Sequence, residues 1–417
     1  MNDNHSGAET AYLDRWVTAS FLRAVKTYRV VVLTGARQTG KSTFLRHAPQ
    51  VKNWEYITLD DFDALDAAEK DPDDLLAGKN RLIIDEVQKA PRLLSSIKRK
   101  VDTLGKNARF ILSGSANLLL MHKVSESLAG RAVYHLMRPL TLGETKSQKA
   151  NSLLDSLISS RPLNFAAPRS KIDLENIILR GFLPPAVVQF KSLSAVLGWM
   201  EGYITTFLER DLRQLAQIDN LSDFRRLMGI LALRSGQMLN QSEISRDAGV
   251  PQPTAHRYLN LMETSFLLEK VPAYAVSRTK RLIKTPKVYW FDCGLAAFLM
   301  GLHHPKDLRG SREWGALMET LVLQHLKVWA SLKTPSPRIF YWRTVAGQEV
   351  DFIIEDGKNL LAVEVKASAG VKYSDAENLK TFLSLYPKTT AGIIVYAGRE
   401  FKQIGEKLWA VPWELLI

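Results

Sequence analysis

Short apolar runs alternate with polar, helix-compatible stretches over residues 1–145 of the 417-residue chain. Three of these runs are YRVVVLTG at 28–35, RLIIDE at 81–86 and RFILSGS at 109–115. Continuous apolar strands separated by helices are typical of a parallel α/β sheet that is covered on both faces. The pattern therefore predicts a parallel α/β domain at the start of the chain.

The pattern changes after residue 146 and becomes mainly helical. Residues 196–218 have helical apolar spacing, and residues 222–271 contain three further helical stretches with short turns. Alternation of strand and helix returns after about residue 310. We expect four regions: an α/β domain at 1–145, a helical lid region at 146–220, a helix-turn-helix region at 221–290 and a second α/β domain at 291–417.

Composition narrows the class of protein. The chain is 46% hydrophobic and 24% charged, as globular proteins are. No apolar run reaches the roughly 18 residues that span a bilayer, and the first ten residues do not resemble a signal peptide. A single cysteine, Cys293, excludes an intrachain disulfide. We expect a cytoplasmic protein without a membrane partner.

The net charge of +13 favours a polyanionic partner such as nucleic acid or a nucleotide. The alternative is a generally basic surface that only aids solubility. The positions of the basic residues have to decide between these two interpretations of the charge. Whether the chain forms a homo-oligomer stays open.

The segment GARQTGKST at 35–43 satisfies the phosphate-binding pattern G-x-x-x-x-G-K-[ST]. An apolar strand precedes it and a helix-compatible stretch follows, as the mechanism requires. Backbone amides of such a loop point at phosphate oxygens. Lys41 should reach the β- and γ-phosphates, and the Ser42 hydroxyl should coordinate Mg²⁺. The segment therefore predicts a site for ATP and Mg²⁺.

Acidic and polar residues follow two later strands. Asp85 is expected to orient Mg²⁺, Glu86 to polarise an attacking water, and Ser115 or Asn117 to sense the γ-phosphate. The alternative is a strand that is simply capped by acids. The residues expected to bind ATP or its metal are Gly35, Gly40, Lys41, Ser42, Thr43, Asp85 and Ser115.

Two arginines are candidates to stabilise the transferring phosphoryl group. They are Arg131 in LAGRAVYHL and Arg210 in FLERDL. Either could instead make a structural ion pair, since Arg210 stands next to Asp211. Whether either acts within its own chain or on a neighbouring one stays open.

The order of GARQTGKST, LIIDEVQKAP, LSGSAN, LAGRAVYHLMRPLTLGE, RGFLPPAV and YITTFLERDLRQL resembles a prokaryotic AAA-type ATPase family over essentially the whole chain. The resemblance implies a P-loop domain, a helical and winged-helix middle region, and a C-terminal domain of unknown function. In GFLPP at 181–185 the chain departs from its relatives, which commonly show a second glycine and a Pro-Glu pair. We therefore assign no function to that loop.

Residues 240–271 have the pattern of a helix-turn-helix. Gly249 and Pro251 form the turn, and Leu259, Met262 and Leu267 should face the core. The second helix would present its N-terminal residues to a DNA groove. Those residues are Gln252, Thr254, His256 and Arg257.

The following stretch, 272–290, contains five basic residues and no acid. They are Arg278, Lys280, Arg281, Lys284 and Lys287. A basic wing that contacts phosphates has this composition, so nucleic acid, DNA first, is the expected partner. The alternative is a winged helix that serves only in packing or oligomerisation.

LLAVEVKAS at 360–368 is an apolar strand on which Glu364 and Lys366 share one face. The preceding strand carries Asp351, and an antiparallel pairing would bring Asp351 close to Glu364. Glu319 interrupts the apolar pattern of a helix upstream. The bland interpretation is an exposed, salt-bridged strand face.

These residues resemble the restriction-endonuclease-like PD-(D/E)xK core, although Val350 stands where that core has proline. The resemblance implies that Glu319, Asp351 and Glu364 hold Mg²⁺ and that Lys366 acts at the scissile phosphate. The resemblance implies the nuclease-like fold, but a fold alone does not imply that the domain cleaves nucleic acid.

Two functions are compatible with this sequence. The first is an ATPase that acts on nucleic acid and cuts it with the C-terminal domain. The second is a nucleotide-switched protein that regulates a partner and whose nuclease-like domain is catalytically silent.

Overall fold

The structure is a computed structural model that describes residues 12–115, 128, 130–150, 152–162, 172–206, 218 and 220–416. Among the helices described in these ranges, none combines the length and the apolar character needed to cross a membrane.

A five-stranded parallel sheet forms the N-terminal domain, with the strand order β2-β3-β4-β1-β5. Its strands are β1 (Val30–Gly35), β2 (Glu55–Thr58), β3 (Arg81–Asp85), β4 (Arg109–Ser115) and β5 (Ala132–Leu136). Its helices are α1 (Thr18–Thr27), α2 (Lys41–His47), α3 (Phe62–Lys70), α4 (Pro72–Leu76) and α5 (Leu93–Leu104).

The central strands are apolar throughout because both faces of this sheet are covered. Val30 and Val32 pack into one buried cluster, whereas Val31 and Leu33 pack into another on the opposite face. The predictions for β1, β3 and β4 are confirmed. Strands β2 and β5 were not predicted, because both are partly exposed and lack a continuous apolar run.

Helices dominate the middle of the chain. They are α6 (Leu142–Thr145), α7 (Leu153–Ile158), α8 (Leu174–Arg180), α9 (Pro184–Val188), α10 (Leu193–Thr206), α11 (Leu221–Leu233), α12 (Gln241–Ala248) and α13 (Gln252–Thr264). Helix α12 ends at Gly249, whose left-handed φ of 61° allows the turn into α13. Leu259, Met262 and Leu267 are buried as predicted.

A two-stranded antiparallel sheet follows these helices. Its strands are β6 (Leu268–Val271) and β7 (Lys287–Trp290), and helix α14 (Arg278–Ile283) lies in the connection. The predicted basic stretch is therefore divided among a short helix, exposed loops and a buried strand.

A six-stranded mixed sheet forms the C-terminal domain, in the order β12-β13-β11-β10-β9-β8. Its strands are β8 (Arg338–Arg343), β9 (Glu349–Asp356), β10 (Asn359–Lys366), β11 (Thr389–Tyr396), β12 (Lys402–Gly405) and β13 (Leu408–Pro412). The accompanying helices are α15 (Cys293–Leu299), α16 (Pro305–Gly310), α17 (Trp314–Ser331) and α18 (Glu377–Leu385). The predicted hairpin of β9 and β10 is confirmed.

One buried apolar cluster extends from Ala36 to Leu416 and connects the helical region with the C-terminal sheet. Within it, the buried Asp292 carboxylate caps α15 and accepts hydrogen bonds from the backbone N–H groups of Leu295 at 2.9 Å and Phe182 at 2.8 Å. The segment before α9 is thereby fixed to the segment after β7.

Candidate functional site

The phosphate-binding loop lies between the end of β1 and the start of α2. A Cβ at Gly35 would lie 2.3 Å from the Met137 carbonyl oxygen, so only glycine fits there. The Lys41 ammonium donates to the carbonyl oxygens of Gly35 and Ala36, both at 3.0 Å. Burial lowers the pKa of Lys41 to about 8. Phosphate oxygens would provide this ammonium with stronger, charged acceptors.

Ser42 and Asp85 form the candidate site for Mg²⁺ beside this loop. The Ser42 hydroxyl donates to Asp85 Oδ2 at 2.5 Å, and the Tyr56 hydroxyl donates to the same oxygen. A hydroxyl beside a carboxylate is an oxygen donor set that suits Mg²⁺. These two residues fit the expected ion, and Mg²⁺ bound there would neutralise charge on the phosphates. Nothing in the sequence around Tyr56 indicated its role.

Glu86, Gln88 and Ser115 lie together at the carboxyl edge of the same sheet. The Ser115 hydroxyl donates to Glu86 Oε2 at 3.2 Å, and the Gln88 amide donates to the same oxygen. Glu86 adopts a left-handed φ of 54°, which is uncommon for a residue with a side chain and concentrates at functional sites. The structure therefore brings Glu86 and Ser115 together, while their roles in hydrolysis stay predictions.

A cavity of about 420 Å³ opens beside Lys41, Ser42 and Thr43. Its other wall contains Pro184, Pro185 and Trp199 from the helical region. A Cβ added at Gly40 would lie 3.5 Å from Pro184 Cγ. The GFLPP loop therefore lies against the phosphate-binding loop.

Arg15 is a buried residue of this site that the sequence did not reveal. Its guanidinium donates to Thr39 O at 3.0 Å and to Arg138 O at 2.6 Å, and it pairs with Glu144 at 3.2 Å. Arg15 thus ties the phosphate-binding loop to the segment after β5. A single arginine in a short irregular segment has no periodic signature, so sequence patterns could not identify it.

Of the two candidate arginines, only Arg131 lies in the described part of the chain, and it does not complete this site. Arg131 immediately precedes β5 at the amino edge of the parallel sheet, whereas the phosphate-binding loop follows the carboxyl end of β1. Its guanidinium pairs with Asp102, with Nε and Oδ1 2.6 Å apart. Arg131 therefore does not reach the phosphates of its own chain. Arg210 and Asn117 lie outside the described residues.

The start of α13 lies at the surface of the protein. Gln252 and His256 are exposed, whereas Thr254 and Arg257 are half-buried. The Gln252 amide donates to the Ser242 hydroxyl at 3.1 Å, which connects α12 to the second helix. The four residues predicted to face a groove thus occupy one end of a helix with unequal exposure.

The basic residues before β7 separate into two groups. Lys280 and Lys284 are exposed as expected. Arg281 is buried, and its guanidinium makes two hydrogen bonds to the Glu355 carboxylate, at 2.8 and 3.0 Å. The prediction that Arg281 contacts nucleic acid is therefore wrong for this arrangement, because its donors are used inside the protein.

The predicted C-terminal carboxylates converge. The register pairs Val363 with Phe352, which brings the neighbouring Glu364 and Asp351 close together. Asp351 Oδ2 accepts a hydrogen bond from the Val365 N–H at 2.8 Å. The Lys366 ammonium donates to Glu364 Oε1 at 2.8 Å. Glu364 Oε2 is buried without a hydrogen-bond partner among the described residues. Glu319 faces this group from α17, so the structure brings all four predicted residues into one cluster.

Two further residues enter the cluster from β7. The Lys287 ammonium lies 3.7 Å from Glu319 Oε2 and 3.9 Å from Asp351 Oδ1, and it pairs with Glu349. The Tyr289 hydroxyl donates to Glu319 Oε2 at 2.8 Å. Burial and the charge of Asp351 raise the pKa of Glu319 to about 8. Lys287 was expected on an exposed wing, so its burial corrects that expectation.

Mg²⁺ does not fit this cluster in its present arrangement. Mg²⁺ needs several oxygens at about 2.0–2.1 Å in octahedral geometry. The Lys287 ammonium lies between the carboxylates of Glu319 and Asp351 instead. Among the residues that the structure describes, no three histidine, cysteine or acidic side chains are grouped to hold a metal ion.

Three family models match the chain. An AAA domain matches residues 27–146, a domain of unknown function (DUF8612) matches residues 171–306, and a second domain of unknown function (DUF4143) matches residues 314–416. The AAA match agrees with the parallel sheet and the phosphate-binding loop, and it identifies residues 27–146 as an ATP-binding, ATPase-type domain. The other two descriptions carry no function.

The similar proteins are uncharacterized. Proteins of Mycobacterium bovis and Mycobacterium tuberculosis are each 32% identical over 405 residues, which cover 97% of this chain and 84% of theirs. A protein of Haemophilus influenzae is 22% identical over 93% of this chain and 94% of its own. The solved Walker-type ATPase PABY2304 of Pyrococcus abyssi shares 17% identity and a TM-score of 0.47 over 69% of this chain and 96% of its own. The chain therefore belongs to the same family as the two mycobacterial proteins, and its N-terminal part is an AAA domain.

Proposed function

We propose that this protein hydrolyses ATP in order to act on nucleic acid, and that DNA is the nucleic acid it acts on. The observation that carries the ATPase part is the convergence of Lys41, Ser42, Asp85 and Glu86 at one edge of the parallel sheet. Bound Mg²⁺ would be held by Ser42 and Asp85. Lys41 would bind the phosphates, and Glu86 would accept a proton from the attacking water.

Exposed groups of the middle region support the nucleic-acid part. Gln252 and His256 are exposed at the start of α13, and Lys280 and Lys284 are exposed around α14. Helix starts and lysines of this kind contact bases and phosphates, respectively. The net charge of +13 agrees with a polyanionic partner.

The binding of labelled duplex DNA, single-stranded DNA and RNA to the full chain tests this part. We expect the double variant Lys280→Glu/Lys284→Glu to weaken binding at least tenfold at low salt. Lys358→Glu/Lys388→Glu is a matched control, because it makes the same charge change at two exposed lysines of the C-terminal domain. Equal weakening by both variants would mean that only net charge matters.

A second candidate is a nucleotide-switched protein that regulates a partner and does not cut nucleic acid. The position of Lys287 favours it, because an ammonium between Glu319 and Asp351 opposes the metal binding that cleavage requires. We therefore propose no cleavage step for the C-terminal domain.

A nicking assay on supercoiled DNA with ATP and either Mg²⁺ or Mn²⁺ tests whether the C-terminal domain lacks a cleavage step. We expect no cleavage by the purified protein. Nicking that disappears in both Asp351→Ala and Lys366→Ala, while ATP turnover persists, would instead establish a nuclease.

A further inference from the structure

Lys287 is the first residue of β7, and its side chain is only 4% exposed. A buried ammonium is costly unless opposite charges surround it. Here the carboxylates of Glu319, Glu349 and Asp351 approach it from α17 and β9. The ring of Tyr341 lies 5.7 Å away on a further side. Groups of the C-terminal domain therefore enclose a cation that belongs to the middle region.

The cluster has more acidic groups than basic ones. Its carboxylates are those of Glu319, Glu349, Asp351 and Glu364, against the ammonium groups of Lys287 and Lys366. Arg343 adds a third cation at the rim, where it pairs with Glu349 at 3.2 Å. The second Glu364 oxygen remains buried without a donor in the described part of the chain. The described cations of the cluster are thus fewer than its carboxylates.

We infer that Lys287 takes the place of a divalent cation, so that removing its ammonium opens a metal site. The predicted ligands of that site are the carboxylates of Glu319, Glu349 and Asp351, which now surround Lys287. Carboxylate oxygens are hard ligands, so the site suits Mg²⁺ or Mn²⁺. In the wild-type protein, this cluster then binds no divalent cation.

This inference does not rest on ATP hydrolysis or on nucleic-acid binding. It concerns cation binding by nucleotide-free protein, so its failure and the failure of the proposed function are separate results. It also gives β7 a definite role, because Lys287 joins the two-stranded sheet to the C-terminal domain through charge.

Mn²⁺ binding to the full-length, nucleotide-free chain tests the inference, measured by the loss of the free-Mn²⁺ signal in electron paramagnetic resonance. Lys287→Met keeps an unbranched side chain as far as Cε and removes the charged ammonium. We expect this variant to bind one Mn²⁺ more per chain than the wild type. The additional site should vanish in Lys287→Met/Asp351→Asn, and Lys287→Arg, which keeps the charge, should bind as the wild type does.

Thermal unfolding provides a second readout. Mn²⁺ should raise the Tm of Lys287→Met and leave the difference between wild type and Asp351→Asn unchanged. No additional site in folded Lys287→Met would overturn the inference. Wild-type protein that binds Mn²⁺ at a site lost in Asp351→Asn would overturn it as well, and this result remains decisive even where Lys287→Met does not fold.

Discussion

His325 is predicted to make the junction between the AAA domain and the C-terminal domain sensitive to acid. It is buried on α17, where its Nδ1 contacts the Leu321 carbonyl oxygen at 2.7 Å. Its Nε2 accepts a hydrogen bond from the Leu142 N–H at 3.1 Å. A neutral ring satisfies both contacts, since Nδ1 then donates and Nε2 accepts. A protonated ring would direct two N–H groups at each other and lose the second contact.

Burial lowers the pKa of His325 from 6.5 to about 4. As the pH falls, the unfolded chain takes up this proton near pH 6.5, whereas the folded chain resists it down to about pH 4. The unfolded state binds more protons in this window, so stability falls as the pH decreases through it. At about 1.4 kcal/mol per pH unit, the loss amounts to about 3 kcal/mol.

Differential scanning calorimetry from pH 7 to pH 4 measures this effect. His325→Gln provides an acceptor for Leu142 and does not titrate, so it should lack this part of the acid sensitivity. We expect the Tm of the wild type to fall by about 3–4 °C more than that of His325→Gln. His304→Gln, at an exposed histidine, is the control and should follow the wild type. Equal losses in wild type and His325→Gln would refute the reasoning.

Two further predictions concern the surroundings of the nucleotide pocket. Gly181→Ala should lower the Tm more than Gly78→Ala does. Both glycines have a left-handed φ, of 66° and 69°, so both substitutions strain the backbone. Only at Gly181 would the new Cβ also clash with a neighbour, because Asp292 Oδ1 would lie 2.3 Å away. The clash should add about 1–3 kcal/mol to the shared backbone strain, and equal Tm shifts would argue against it. Arg15→Met should cost about 3–5 kcal/mol, because it leaves the Glu144 carboxylate buried without its oppositely charged partner. It should also weaken ATP binding, as fluorescence titration with a labelled ATP analogue would measure, and Arg15→Met/Glu144→Gln should recover part of the stability but not the affinity.

Local sequence rules were sufficient to predict the position of a functional residue that belongs to one strand or one hairpin. The two-residue period of a strand and the antiparallel pairing of β9 with β10 were enough to bring Asp351 to Glu364. A similar rule predicts that Asp85 lies near the phosphate-binding loop, because the carboxyl ends of parallel strands meet at one edge of a sheet.

Sequence patterns failed where contacts between distant segments determine whether a side chain is buried or exposed. Lys287 and Arg281 stand in a basic stretch that resembles a solvated wing, yet acids from β9 and α17 draw both inside. One signal was available for Lys287. In the strand KVYW, Lys287 is the one charged residue, and the other three are the apolar or aromatic residues typical of a buried strand. The alternation of the strand places Lys287 and Tyr289 on the same face. No such signal exists for Arg15, whose partners lie more than 20 residues away.

The steady-state ATPase rate of the full chain, with and without duplex DNA, tests the central claim most directly. The account predicts Mg²⁺-dependent turnover that Lys41→Ala abolishes. It also predicts that DNA increases this turnover and that Lys280→Glu/Lys284→Glu removes the increase, while Lys358→Glu/Lys388→Glu retains it. Turnover that is unaffected by DNA would contradict the action on DNA, and turnover that survives Lys41→Ala would contradict the assignment of the ATP site.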